Sequence, residues 1–207
     1  MWHSRVSALA LACLVSSGVQ AYQVNGTGAV ELGLDLGEAE QEYSADGDSP
    51  ERSGDDTAFR LAGTYYLGPN VGLRVGYTSF GEAEVEQQRL LLVTETIESE
   101  ADALTFGVVA TTPINRSAVE LWGELGLAKW DVTVSERLAF VGGGQSSAEI
   151  DSDSGLSLYA GGGLRFNVTR ELGVGLNVLW YMLDPTLAGY DYDLDVQTLS
   201  ASASFRF

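Results

Sequence analysis

Cysteine and histidine are almost absent from this chain of 207 residues, which contains one of each. Cys13 and His3 both lie in an N-terminal segment with the features of a secretory signal peptide, so we expect the mature chain to contain neither. Disulfides, thiol chemistry and metal sites built on cysteine or histidine are therefore excluded from the mature protein. Serine–histidine and cysteine–histidine catalysis are excluded for the same reason.

Long apolar runs are also missing outside the N-terminal segment, so the sequence predicts no transmembrane helix. The signal peptide is predicted over residues 1–21, where Arg5 supplies a positive charge and residues 6–15 are mostly apolar. That stretch is shorter than the roughly 20 residues that a helix needs to span a bilayer. Cleavage after the small-residue motif at 19–21 is favoured over a lipoprotein cut before Cys13, since the residue three positions before that cysteine is unusually small.

The remaining sequence alternates apolar and polar residues with a period of two, in eight separate segments. Because side chains alternate between the two faces of a strand, each segment is predicted to be a strand with one apolar and one polar face. A length of about 9–11 residues suits tilted strands that cross a membrane. The segments are residues 29–36, 59–67, 71–78, 104–111, 119–127, 156–166, 172–181 and 198–207.

The connections between these segments alternate between short and long. The short ones, rich in turn-forming Pro, Gly and Asn, are residues 68–70, 113–116 and 167–170. The long ones are residues 37–56, 81–102, 131–153 and 183–196. Short periplasmic turns and long extracellular loops are typical of outer-membrane barrels, whereas a soluble sandwich gives no reason for the asymmetry. A lipocalin-type barrel would place its apolar face inside, but here glycine and charged residues share the face opposite leucine and valine.

The last segment ends on an aromatic residue, with Phe205 and Phe207 on its apolar face. Two short turns are followed by Asn70-Val71-Gly72-Leu73-Arg74-Val75-Gly76-Tyr77 and by Glu171-Leu172-Gly173-Val174-Gly175-Leu176-Asn177. With these features, residues 22–207 resemble the OmpA-like and OmpX-like eight-stranded outer-membrane β-barrels. The resemblance implies an all-β, antiparallel up-and-down barrel, monomeric, among the lipid and lipopolysaccharide of the bacterial outer membrane. It also implies that Phe205 and Phe207 are the signal read by the barrel assembly machinery.

The resemblance predicts the architecture better than the function. Full-length OmpA-type proteins carry a peptidoglycan-binding domain after the barrel, but this sequence ends at Phe207, so cell-wall anchoring is not expected. Enzymes of this architecture that modify lipid A or phospholipids generally depend on a histidine, so we expect no enzymatic activity.

Acidic residues greatly outnumber basic ones, and the formal net charge is −18. Of the 29 acidic residues, 24 lie in the four long connections, where only Arg52, Arg89 and Arg137 oppose them. Two interpretations remain open: a solvated surface suited to a saline habitat, or binding of divalent cations such as Ca²⁺. Nucleic acid is excluded as a partner because its phosphates would be repelled. The candidate cation ligands are Asp151, Asp153, Asp191, Asp193 and Asp195, although neither cluster has the glycine position of an EF-hand.

The polar face of the predicted strands carries four acids and four bases. Isolated charges in a narrow barrel would be costly, so we expect them to pair as a salt-bridge network, as the resemblance also implies. Counted from the short turns, Glu31, Arg74, Glu120 and Arg165 share one depth, while Asp35, Arg60 and Glu124 form a second layer. An acid–base pair of Glu120 and Glu124 is the weaker alternative, since such a barrel has room for little but side chains. The eight residues are Glu31, Asp35, Arg60, Arg74, Glu120, Glu124, Arg165 and Arg206.

Apolar runs at residues 89–93 and 138–141 lie outside the predicted membrane segments. They suggest that strands three to six continue as extended hairpins, whose apolar residues either pack on one another or leave a sheet edge for strand addition. The sequence thus predicts a non-enzymatic outer-membrane barrel for envelope structure and surface interaction, including adhesion to an extracellular protein. The alternatives are a small low-conductance pore or solute conduit and, less favoured, a lipid-modifying barrel enzyme.

Overall fold

The computed structural model describes residues 27–45, 52–89, 93–114, 118–140, 145–187 and 190–207. The predicted signal peptide, residues 1–21, lies outside this part. Within it, no helix is long and apolar enough to cross a membrane. The strands are β1 (Val30–Ala45), β2 (Arg52–Tyr66), β3 (Val71–Arg89), β4 (Val93–Pro113), β5 (Val119–Phe140), β6 (Gln145–Asn167), β7 (Leu172–Leu183), β8 (Thr186–Leu187) and β9 (Tyr190–Arg206).

Eight of these strands form a closed antiparallel barrel. Each strand from β1 to β6 pairs with the next along the chain, β7 pairs with β9, and β9 returns to β1 with Glu31 opposite Arg206. The two-residue strand β8 pairs only with β9, beside the barrel. Closure gives every barrel strand two neighbours over the paired part of its length, which satisfies the backbone hydrogen bonds there. The predicted eight-stranded up-and-down barrel is confirmed.

The strands are much longer than predicted. β4, β5 and β6 have 21, 22 and 23 residues, so most of the segments expected to be loops continue the strands. The alternation failed to reveal this because it records lipid on one face, and both faces of a hairpin outside the bilayer carry polar residues. The prediction that strands three to six extend as long hairpins is confirmed.

An apolar band surrounds the outside of the barrel. Its leucines point away from the interior, with 60% exposure at Leu104, 62% at Leu125 and 67% at Leu156. Phe205 and Phe207 are exposed at the end of the barrel that carries the short connections, here called the turn end. Exposed apolar surface of this extent requires lipid, and flanking aromatic residues are typical of transmembrane barrels.

The barrel wall opens within the part of the apolar band that lies nearest the end with the long hairpins, here called the hairpin end. The pairing of β2 with β3 stops at Phe59 and Ser79, and the pairing of β6 with β7 stops at Tyr159 and Tyr181. Gly81 has a positive φ of 78°, which favours glycine, at the irregularity where β3 leaves β2. Beyond these points β3, β4, β5 and β6 continue together as a four-stranded sheet, here called the distal sheet.

Candidate functional site

The interior near the turn end is organised around Glu31. Its Oε1 accepts from Nη2 of Arg165 and its Oε2 accepts from Nη2 of Arg206, both at 2.6 Å. The hydroxyl of Tyr66 also donates to Oε2, at 3.2 Å. Nη2 of Arg74 lies 3.6 Å from Oε1 of Glu31. Three cations from three different strands thus surround one buried carboxylate.

A second cluster lies around Glu124, farther from the turn end than the first. Nη2 of Arg60 donates to its Oε1 at 2.7 Å, and Nη1 of Arg74 donates to its Oε2 at 2.9 Å. The hydroxyl of Tyr159 donates to the same carboxylate. Nε of Arg74 donates to the hydroxyl of Thr64 at 2.7 Å, which fixes the guanidinium between the two clusters. Arg74 therefore joins the layers that the sequence analysis kept apart.

The other two predicted lumen acids, Glu120 and Asp35, also lie near arginines. Glu120 lies 3.4 Å from Arg165 and 3.8 Å from Arg206, and Asp35 lies 3.9 Å from Arg60. A polar cavity of about 20 Å³ remains beside Asp35, lined also by Asn177. That volume suffices for about one water molecule. The structure thus brings all eight predicted residues into one connected network, which lines a cavity of about one water molecule in size.

Aromatic rings lie against the guanidinium groups of two arginines, and these contacts were not predicted from the sequence. The guanidinium carbon of Arg74 lies 4.9 Å from the ring centre of Trp122, and that of Arg206 lies 5.3 Å from Tyr66. Such contacts strengthen as water is excluded. A usable signal existed, because Trp122 stands between Glu120 and Glu124 on the same face of β5.

The hairpin half of the interior contains a large apolar group among buried polar residues such as Gln41 and Thr78, although the strands were predicted to have one polar face. Phe80 packs edge-to-face on Tyr181, with ring centres 4.8 Å apart, and Tyr181 stacks on Tyr159 at 5.5 Å. We call this buried group the apolar plug, and the barrel is narrow enough here for side chains to fill it. Its larger members are Phe80, Trp130, Val132, Leu179, Tyr181, Leu183, Leu194 and Val196.

Glycines on neighbouring strands make room for these rings. A Cβ at Gly126 would collide with the ring of Tyr159 and with the carbonyl of Phe106, and a Cβ at Gly155 would collide with the ring of Trp130. These inward-facing glycines therefore leave the space that the aromatic side chains of neighbouring strands occupy.

The candidate cation ligands whose side chains the structure describes are Asp151, Asp153 and Asp195. Asp151 and Asp153 accept hydrogen bonds from the N–H groups of the residues that follow them, at 2.9 and 2.8 Å. Asp195 is exposed on β9, and the side chains of Asp191 and Asp193 lie outside the described part of the structure. Across the described residues, no group of three or more acidic side chains is placed to hold a metal ion. Binding of Ca²⁺ stays a prediction, as does the role of Phe205 and Phe207 in assembly.

Comparison with known proteins agrees with this geometry. Among solved structures, Neisserial surface protein A is 15% identical, with 87% of this chain and 99% of that chain covered and a TM-score of 0.58. OprG from Pseudomonas aeruginosa is 13% identical, with 89% and 99% covered and a TM-score of 0.52. Ail, the attachment invasion locus protein of Yersinia pestis, is 21% identical, with 87% and 99% covered and a TM-score of 0.47. No curated protein matches the sequence.

The sequence also matches a protein family. Residues 9–207 match the family model described as the outer membrane protein beta-barrel domain, which is nearly the whole chain. The closed eight-stranded barrel, the apolar band and the flanking aromatic residues are what that family requires. The chain therefore belongs to the outer membrane protein β-barrel family, and it is a protein of the bacterial outer membrane.

Proposed function

We propose that this protein is a non-enzymatic surface-interaction barrel, held in the outer membrane by its apolar band, that binds an extracellular protein through the distal sheet. The observation that carries the proposal is that β3 to β6 continue as one sheet past the points where they separate from β2 and β7. A sheet outside the lipid contributes nothing to anchoring, whereas it gives a rigid surface for recognition.

The distal sheet has an edge along β6. Residues 145–154 of this strand pair with β5 on one side, apart from Ile150 at a β-bulge, and no strand in the described part of the chain pairs with their other side. Such an edge can accept an added strand from a partner through backbone hydrogen bonds. Ile150 is exposed on this stretch and offers an apolar anchor.

Two aspartates make the edge selective. The N–H groups of Ser152 and Ser154 donate to the carboxylates of Asp151 and Asp153, so these backbone donors are covered. Covered donors blunt indiscriminate strand pairing, which is a hazard of long exposed edges. A binding partner has to compete with these carboxylates, and this favours specific recognition over aggregation.

The filled interior supports this function over the alternatives. A solute conduit needs a continuous path, but the ion-pair network and the apolar plug occupy successive halves of the barrel. A lipid-modifying enzyme needs a substrate beside its reactive groups, whereas Glu120 and Glu124 are buried against arginines.

The test uses cells that carry the protein and surfaces coated with extracellular matrix and serum proteins. Ser152→Pro removes one edge N–H group, and Ser152→Ala is the matched control that keeps it. We expect the wild type and Ser152→Ala to bind at least one coating, and Ser152→Pro to bind it at least tenfold more weakly. Binding no better than that of cells lacking the protein, or binding unchanged in Ser152→Pro at equal surface amounts, would contradict the proposal.

A further inference from the structure

A groove on the outer wall of the barrel belongs neither to the interior network nor to the distal sheet. It crosses β7, β9 and β1 where the apolar band ends on the side of the hairpin end, and its volume is about 320 Å³. That volume lies at the lower end of the range for small-molecule sites. Its outward side chains are Trp180, Met182, Asp195, Gln197, Glu40 and Glu42.

Strand register explains why this groove has two unlike walls. Trp180 pairs with Gln197, which pairs in turn with Glu40, and the next row outward runs from Met182 through Asp195 to Glu42. Residues two apart on a strand share a face, so both rows point outward together. The wall from β7 is apolar, the wall from β1 is acidic, and the polar side chains of Asp195 and Gln197 on β9 lie between them.

The acidic wall is electrostatically unbalanced. Glu42 lies directly opposite Asp195 on β9, and Glu40 lies directly opposite Asp55 on β2. Like charges in directly opposed positions destabilise a sheet. No ion pair of the described residues involves Glu40, Glu42 or Asp195. A cation in the groove would relieve this repulsion.

The apolar wall decides what kind of cation fits. Trp180 is 46% exposed and Met182 is 54% exposed, and below them the outward pair Val178 and Leu199 continues into the apolar band. An exposed tryptophan at this height is ordinary for a barrel in lipid, but that role does not explain the carboxylates facing it. Tryptophan is also the aromatic side chain that attracts cations most strongly.

A bare metal ion does not suit this groove. In the part of the chain that the structure describes, no three acidic side chains converge as a metal site would require. The apolar wall would also contribute nothing to a hydrated ion. We propose that the groove binds a membrane-soluble organic cation, with its ammonium head between Trp180 and the carboxylates and its apolar body along the band.

The experiment is a calorimetric titration of the whole folded barrel in nonionic detergent with hexyltrimethylammonium. Heptanol, which has a similar apolar body and no charge, measures partition into the micelle. Glu42→Gln/Asp195→Asn removes two charges with little change of shape, and Trp180→Leu removes the ring but keeps an apolar wall. Asp131→Asn, on the outer face of β5 away from the groove, is the matched control. Heat-modifiable migration on gels shows that each variant is folded.

We expect saturable binding of the cation and none of heptanol. Affinity should fall at least tenfold in Glu42→Gln/Asp195→Asn, fall severalfold in Trp180→Leu, and stay unchanged in Asp131→Asn. Equal heats for heptanol, or an affinity unaffected by Glu42→Gln/Asp195→Asn, would overturn the proposal. Displacement of the probe by equimolar Ca²⁺ would also overturn it, because the groove would then be a metal site.

Discussion

At the scale of single residues, the buried carboxylates are not equivalent. Glu124 accepts short hydrogen bonds from Arg60 and Arg74, and Glu31 accepts them from Arg165 and Arg206. Asp35 has one ion-pair contact of 3.9 Å beside a small polar cavity. Removing one partner of a buried pair leaves the other charge uncompensated, so the cost depends on how many partners each residue serves.

Substitutions of Glu124 and Asp35 allow the two kinds of buried carboxylate to be compared. Glu124→Gln leaves both Arg60 and Arg74 short of charge, and we expect it to lower the free energy of unfolding by about 3 kcal/mol. Asp35→Asn removes a charge with one long contact and leaves Arg60 paired with Glu124, so we expect a clearly smaller loss than for Glu124→Gln. Urea unfolding of the barrel in lipid vesicles measures both. An equal loss in the two variants would contradict the network as described.

At the scale of single elements, each strand changes character along its inward face. On β3 the inward positions run from Arg74 to Phe80, and on β7 they run from Asn177 to Leu179 and Tyr181. The outward face changes in the opposite sense, from lipid-facing apolar residues to acids. Alternation alone predicted the strands but not this reversal, because a period of two is the same whichever face is apolar.

The reversal predicts which aromatic residues of the wall support the fold. Phe80→Ala empties part of the apolar plug, and we expect a loss of about 3–5 kcal/mol in the free energy of unfolding. Phe59→Ala, on the outer face of β2 where lipid can fill the gap, should cost about 1 kcal/mol or less. The same urea titration in vesicles compares them. A larger loss for Phe59→Ala would mean that the hairpin half of the barrel is not packed as described.

At the scale of the whole molecule, two different seals lie in series. The charged network lies in the turn half of the barrel and the apolar plug in the hairpin half, and we expect each to close its own level. Each fills its own level with side chains, as expected for eight strands. Opening one level should therefore leave the other closed.

Conductance in planar bilayers tests this arrangement. We expect little conductance from the wild type and from Arg74→Ala, because the plug remains intact. Arg74→Ala combined with Tyr181→Ala should raise conductance clearly, since both levels then lose a large side chain. Large, steady currents through the wild type, unaltered by Arg74→Ala, would refute both the seals and their residues.

The orientation in the membrane is also a property of the whole molecule. Ser147 is exposed on the distal sheet, and Thr169 is exposed in a short connection at the opposite end of the barrel. We expect an impermeant maleimide to label Ser147→Cys on intact cells and to label Thr169→Cys only after the outer membrane is broken. The native Cys13 lies in the predicted signal peptide and should not interfere. The reverse pattern of labelling would show that the distal sheet faces the periplasm.

The class of fold, the number of barrel strands and the eight charged residues of the interior can all be predicted from the amino-acid sequence. These features are local, because lipid imposes a period of two on each strand, and charges on the other face have nowhere to go but inward. The family resemblance followed from the same local pattern.

Three features could not be predicted without the tertiary structure: the length of the strands, the arginine that joins the two clusters, and the side chains that fill the hairpin half of the interior. Strand ends depend on pairing between distant residues, such as Phe59 with Ser79. The partners of Arg74 depend on the stagger of four strands around the barrel. The groove beside Trp180 arises only where β7, β9 and β1 come together, since its two walls are separated in sequence by more than a hundred residues.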